Sequence, residues 1–338
     1  MLGSRQEATA TQLREHYRWL VRWLARAEVG AADVELMLLL PTGYAGANKD
    51  RTEANSGTRP VTNRLRFDEA QLGADTERVP MLDLSCEDFG LLTRLAENGQ
   101  GPVVRLDAQA EELGEQPVFN TIGEIRGAEL PNEYVLLSAH FDSWDAASGA
   151  TDNGTGTLAM MEAMRILKTV YPRPKRTILV GHWSGEEQGL DGSEAFRADH
   201  PEVVAGLQAL FNQDNGTGRV VSLSSSGLTS AAGSYAGWLA QLPEQITRNF
   251  TSLAFPGMPG GGGSDYASFL CYGAPAFNLG ALSYDYGTYT WHTNRDSFDK
   301  INFDDVRVNA VLTAMLVYLA SEDPETVARD RRIVLNRD

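Results

Sequence analysis

The sequence predicts an α/β fold, a mostly parallel sheet with helices on both faces, preceded by a smaller α+β region. Three observations carry this. From about residue 115 onward, short apolar runs alternate with helical patterns, as strand–helix–strand units do. Acidic and histidine residues fall at or just after the ends of those runs, where an open α/β sheet presents side chains to a ligand crevice. The chain has 338 residues, 42% of them hydrophobic, enough for one large domain or two ordinary ones with a substantial core.

The elements follow in order. Leu13, Tyr17, Leu20, Val21 and Leu24 recur at three- and four-residue spacing and predict a helix over 11–28. DVELMLLL at 33–40 reads as a buried strand, and 41–78, polar and poorly periodic, as a long loop. VPMLDLS reads as a strand, EDFGLLTRLAENG as a short helix closing on Gly99, and VVRLDAQAE as another strand. The texture changes near 115, so residues 1–112 and 113–338 are expected to be separate domains. VFNTIGEIRG alternates. EYVLLSAH is a strand ending at His140, then comes a loop over 141–151 and a helix over 153–169 with Leu158, Met161, Met164 and Leu167 as apolar positions. PRPKR is a solvated turn, and RTILVGHW a strand running into Gly185, Glu186 and Glu187. A helix over GSEAFRADH, a strand LQALFNQD ending at Asp214, the Gly-rich PGMPGGGGSD, a strand in APAFNLG, a Tyr-rich loop to His292 and a helix over 304–320 complete the order.

Composition excludes some partners. The formal net charge is −16, so nucleic acid and anionic membranes are repelled. No apolar stretch approaches the ~20 residues of a membrane span. MLGSRQEATATQ has no apolar core and is not a signal peptide. The two cysteines, Cys86 and Cys271, lie in no CxxC pattern, which argues against a thiolate zinc site. Asn-Gly-Thr at 153 and 215 matches the glycosylation sequon but overlaps the candidate site and is discounted.

The chemistry lies in His140 and Asp142 of AHFDSWD, Asp152 of ATDNGTG, Glu186 and Glu187 of WSGEEQG, Asp214 of NQDNGTG and His292 of TWHTNRD. Any one of these alone is an ordinary hydrogen-bonded loop residue; their joint order carries the reading. Two imidazoles and three carboxylates suffice for a pair of Zn²⁺ ions if one carboxylate bridges. Asp152, opening a helix beside a Gly-rich turn, is the expected bridge. His140 and Asp214 would serve one ion, and Glu187 and His292 the other. Neighbouring side chains diverge, so Glu186 is expected as general base rather than ligand. Asp142 is placed to accept the second N–H of His140, and Asp296 to do the same for His292. His182 is expected as strand packing and His200 as surface. The glycines at 260–263 lead into Ser264 and Asp265 and are expected to wall the site.

These motifs, with GGSDYASF and WHTNRDSFDKI, resemble the co-catalytic di-zinc exopeptidases, in particular their carboxypeptidase Q-like branch. The resemblance covers about 115–338. It implies two zinc ions held by His140, Asp152, Glu187, Asp214 and His292, with Glu186 as general base and peptides as substrates. It also implies that the carboxylates of Asp142 and Asp296 support the ligand imidazoles from behind. The first 110 residues more weakly resemble the latter part of a protease-associated domain. Some relatives have Tyr before the last zinc-binding His where Trp291 stands here, so Tyr284, Tyr286 and Tyr289 are all candidates to stabilise the oxyanion. The expected activity is removal of an N-terminal residue. A carboxypeptidase or dipeptidase, with Arg219 or Arg295 holding a terminal carboxylate, and a non-catalytic binding homologue are the alternatives. The family pattern further leads us to expect a longer, periplasmic or secreted full-length protein, with homodimerisation as an open option.

Overall fold

A computed structural model describes residues 37–39, 81–83, 86–103, 117–144, 147–259, 262–284 and 286–332. The expected helix over 11–28, the loop over 41–78 and all but the first residue of VVRLDAQAE lie outside the described residues. The chain divides into two compact units. One comprises 1–114, 145–147 and 287–295, the other 115–144, 148–286 and 296–338.

In the first unit, β1 (Met37–Leu39) pairs in parallel with β2 (Met81–Asp83). Helix α1 (Cys86–Glu97) follows, and Gly99 beyond it takes φ +68°, the left-handed conformation that ends helices.

The second unit carries a seven-stranded sheet. Its strands are β3 (Thr121–Ile125), β4 (Leu130–His140), β5 (Arg176–Trp183), β6 (Leu207–Asn212), β7 (Val220–Ser224), β8 (Ser252–Ala254) and β9 (Ala276–Ala281). Their order across the sheet is β3-β5-β4-β6-β9-β7-β8. The β3–β5 and β7–β9 pairs are antiparallel and the other four parallel, so the sheet is mixed but mostly parallel, as expected. Every residue of β5 and β6 is buried, which explains their near-continuous apolar sequences.

Helix α2 (Thr155–Val170) follows a single π turn at Ala150–Gly154. Helices α3 (Asp191–Asp199) and α4 (Pro201–Ala205) connect β5 to β6. Helices α5 (Ala231–Leu239) and α6 (Glu244–Thr247) connect β7 to β8, and α7 (Tyr266–Leu270) precedes β9. The last is α8 (Phe303–Glu322). Helices α2 and α8 pack on each other and on β4 and β5, while α3 packs on α7, which lies on β6 and β9.

Two features fix this frame. An aromatic core joins Phe211, Tyr235, Trp238 and Phe277, with the Tyr235 and Phe277 centroids 4.4 Å apart. At the other end, Arg176 is 1% exposed at the start of β5. Its guanidinium donates to Glu133 Oε2 at 2.7 Å and to the carbonyls of Ser321 and Asp323 at 2.8 and 2.6 Å. Those carbonyls close α8 and have no partner within the helix, so a buried cation there satisfies them and complements the helix dipole.

Candidate metal centre

The sheet places the expected residues at the carboxyl ends of its central strands. His140 ends β4, Asp214 lies two residues past β6, and Glu186 and Glu187 follow β5. Gly185, at φ +75°, turns the chain sharply after β5. Asp152 sits in the π turn before α2. Gly156 allows that helix to approach β6, because a Cβ there would stand 2.4 Å from the Gln213 carbonyl oxygen.

His140 is buried at the centre of this cluster. Its Nε2 lies 3.1 Å from Asp214 Oδ1, 3.3 Å from Asp152 Oδ1 and 3.9 Å from Glu186 Oε2. Two groups of donor atoms result, His140 with Glu186 and Asp214, and His140 with Asp152 and Glu187; within each, all atoms lie within 4.8 Å of one another. His292 is in neither group. It belongs to the 287–295 stretch of the other unit, where its φ is +57° and its ring stacks on Trp291 at 3.6 Å.

Two supporting carboxylates also hold backbone N–H groups. His140 Nδ1 meets the backbone oxygen of Asp142 at 2.9 Å, with Asp142 Oδ1 farther away at 3.6 Å. The Asp142 carboxylate accepts from the backbone N–H groups of Glu186 and Glu187, at 3.2 and 3.1 Å, and so aims the glutamate pair. Asp296 accepts from Thr151 N, Thr151 Oγ1 and Asp152 N at 2.7, 2.7 and 2.8 Å, which fixes the turn carrying Asp152.

The electrostatics are those of crowded acids in a dry site. Burial, then the Asp214 charge, pushes Glu186 up to about 9. Burial, then Asp152, pushes Glu187 up to about 10. Asp152 rises to about 6, mainly by burial, with His140 opposing. Burial pulls His140 down, but Asp214, Asp142 and Asp152 outweigh it and hold its pKa well above 6.5. Burial likewise works against the Asp214 anion, yet His140 keeps its pKa below the ordinary value. One imidazolium does not neutralise this set. Divalent metal would offset more of that charge, and imidazole with carboxylates is a donor set that suits zinc. The residues present therefore fit a metal.

The remaining candidates separate clearly. Ser264 and Asp265 are buried. Ser264 lies beside Asp214 and favours its anion, and burial raises Asp265 to about 7 with His140, Asp214 and Asp142 nearby. The Tyr286 hydroxyl is buried beside Asp152; burial and the surrounding acids keep the phenol neutral. Tyr284 is 49% exposed and bonded to Asp305, and Tyr289 lies under the Arg295 guanidinium in the other unit. Arg219 Nη1 faces Asp305 at 3.8 Å. His182 is buried in β5 with its ring edge-on to Phe141, and His200 is half-exposed and paired with Glu202. Sequence reasoning missed Ser138 and Asn212. The available signal was a polar residue inside an otherwise apolar strand, two positions before His140 and Asp214 respectively.

A mostly parallel sheet that gathers acids and an imidazole at its carboxyl edge defines a metallohydrolase-like α/β protein. The chain belongs to peptidase family M28, whose family pattern matches residues 120–317. Carboxypeptidase Q of Mus musculus is 28% identical over 253 residues, 75% of this chain and 52% of that protein; the Homo sapiens protein gives the same figures. The chain thus spans about half the length of the curated relatives it matches. Among solved structures, a peptidase M28 precursor from Shewanella amazonensis has the same fold. It has a TM-score of 0.67 at 22% identity and covers 80% of this chain and 58% of its own. The zinc aminopeptidase BSAP of Bacillus subtilis superimposes with a TM-score of 0.54 at 23% identity over 77% of this chain and 63% of that one.

Proposed function

We propose that this chain is a zinc-dependent exopeptidase acting on peptides, with removal of the N-terminal residue as the first reading. The observation that carries it is the convergence of Asp152, Glu186, Glu187 and Asp214 around the single buried imidazole of His140. Two Zn²⁺ would be held by His140, Asp152, Glu187 and Asp214, with Asp152 shared. His292 is proposed as the fifth ligand on its motif alone. Zinc bound there polarises the scissile carbonyl and lowers the pKa of water to about 7. Glu186 takes a proton from the attacking water and passes it to the leaving amine nitrogen. Asp142 orients Glu186 through its backbone N–H. The surplus of acid at the site favours a substrate whose free α-ammonium is held there. The second reading is a carboxypeptidase, favoured by the name carboxypeptidase Q borne by relatives at 28% identity.

Blocked peptides separate the two. Acetylating the substrate's N-terminus is expected to abolish cleavage, and amidating its C-terminus to be tolerated. The reverse pattern moves the function to a carboxypeptidase. Cleavage of doubly blocked peptides removes the exopeptidase reading.

A further inference from the structure

Behind the ligand row of the sheet lies a second row of polar side chains that the proposed chemistry leaves unused. Side chains alternate along a strand, so Ser138 shares a face of β4 with His140, one pleat deeper. Asn212 stands in the same relation to the end of β6, two residues before Asp214. Both are 0% exposed, as is Trp183, which pairs in register with His140 across β4 and β5. Apolar residues would fill this layer at lower cost, because every buried polar group here must find a partner.

The partners form a chain. Trp183 Nε1 donates to Ser138 Oγ at 2.8 Å. Ser138 Oγ donates to Asn212 Oδ1 at 2.7 Å. Asn212 Nδ2 donates to Ser264 Oγ at 3.0 Å. Ser264 in turn sits beside Asp214 and favours its anion. Its direction is forced by its first member. An indole N–H can only donate, so the single hydroxyl proton of Ser138 is left to point onward. That proton needs an acceptor, which sets the Asn212 amide with its oxygen toward Ser138 and its nitrogen toward Ser264. Ser264 then accepts on one side and has its own proton free for the carboxylate. Each bond polarises the next in the same sense.

We propose that Trp183, Ser138, Asn212 and Ser264 are positioning residues, a one-way hydrogen-bond chain that presents a permanent donor to Asp214 and fixes its carboxylate for metal. The chain spans β5, β4, β6 and the segment before α7, so it ties the orientation of one ligand to the register of three strands. It rests on the reading of Asp214 as a ligand. Partners of this kind are worth about 10- to 100-fold in metal affinity or activity.

The test uses the full chain and zinc itself. Ser138→Ala removes one oxygen, breaking the chain two links from Asp214. Expected are zinc affinity weakened about tenfold or more, faster zinc loss to a chelator, and a lower kcat with KM unchanged. Trp183→Phe is expected to act in the same direction, and the double variant to be no worse in zinc affinity than Ser138→Ala, because the chain is already broken. Circular dichroism and the thermal midpoint are followed in parallel. A lowered midpoint with unchanged zinc affinity in Ser138→Ala would mean that the row is structural only, and strictly additive losses would mean that the links act separately; either result overturns the proposal. Should Ser138→Ala not fold, the zinc affinity of Trp183→Phe decides alone. Wild-type protein that binds no zinc, or Asp214→Ala that binds it normally, would instead overturn the metal reading beneath.

Discussion

The aromatic core and the acid cluster occupy the same unit and follow opposite rules. Around Phe277, rings pack on rings, and the region gains stability from everything it excludes. Around His140, four carboxylates crowd one imidazole; Asp152, Glu186 and Glu187 resist ionising, first through burial and then through neighbouring acids, while His140 holds Asp214 ionised. The first region is complete as a fold. The second becomes favourable when a cation is added, so its stability belongs to the holo protein. Function here sits where the fold alone is least satisfied.

The sharpest way to break that contrast is Glu186→Gln. Turnover is expected to fall by about 10³–10⁴ with zinc content and thermal midpoint nearly unchanged, since the residue moves protons without being required as a ligand. Loss of zinc in that variant, measured by metal analysis, would instead make Glu186 part of the coordination shell. Phe277→Ala is the opposite lesion. It is expected to cost about 3–5 kcal/mol in denaturant unfolding, through the cavity it leaves, with zinc stoichiometry retained in the folded fraction.

A third prediction concerns pH. Glu186 and Glu187 have an ordinary value of 4.5 and rise to about 9 and 10 in the folded protein. A raised folded value means stability that is full below about 4.5 and is lost as pH climbs toward 9–10. His140, also raised, contributes in the same direction above its ordinary 6.5. Chelator-treated protein is therefore expected to lose thermal stability from about pH 5 to pH 9, and zinc to flatten that slope. Zinc binding near neutral pH should release protons, seen as a dependence of calorimetric heat on the buffer's ionisation enthalpy. A metal-free profile that rises over this range would contradict the cluster's electrostatics. The smallest effect lies in the aromatic core, where the Tyr235 hydroxyl is buried without a partner. Tyr235→Phe is expected to be neutral or to stabilise by about 1 kcal/mol in thermal unfolding.

Much of this architecture was legible in the residues. RTILVGHW spans β5 to the residue, and LQALFNQD, APAFNLG and the long helix ending near 320 fall within one or two residues of their elements. Those segments are apolar enough for burial to dictate their form. The stretch between Asp214 and Met258 was not read. Strand β7 is five residues with alternate serines, β8 is three residues at the sheet edge, and α5 mixes small and apolar residues without a polar face, so none carries a clean period. In the site, residue types and order brought His140, Asp152, Glu186, Glu187 and Asp214 together correctly as a neighbourhood. The Asp142 carboxylate also holds the backbone N–H groups of Glu186 and Glu187, and Asp296 that of Asp152, contacts that sequence spacing does not announce because it says which side chains are near and not which way each turns.

The buried guanidinium of Arg176 has a consequence for the order of events in synthesis. Its acceptors on Ser321 and Asp323 are made about 145 residues after it. At ordinary translation speeds that is a delay of order ten seconds. Throughout that interval Glu133, already made, can pair with the β5 guanidinium, while its two carbonyl acceptors are still to come. The central strands can pair, but the layer cannot seal until α8 arrives. The strand that leads into the glutamate pair is thus locked at its start only once α8 has been made.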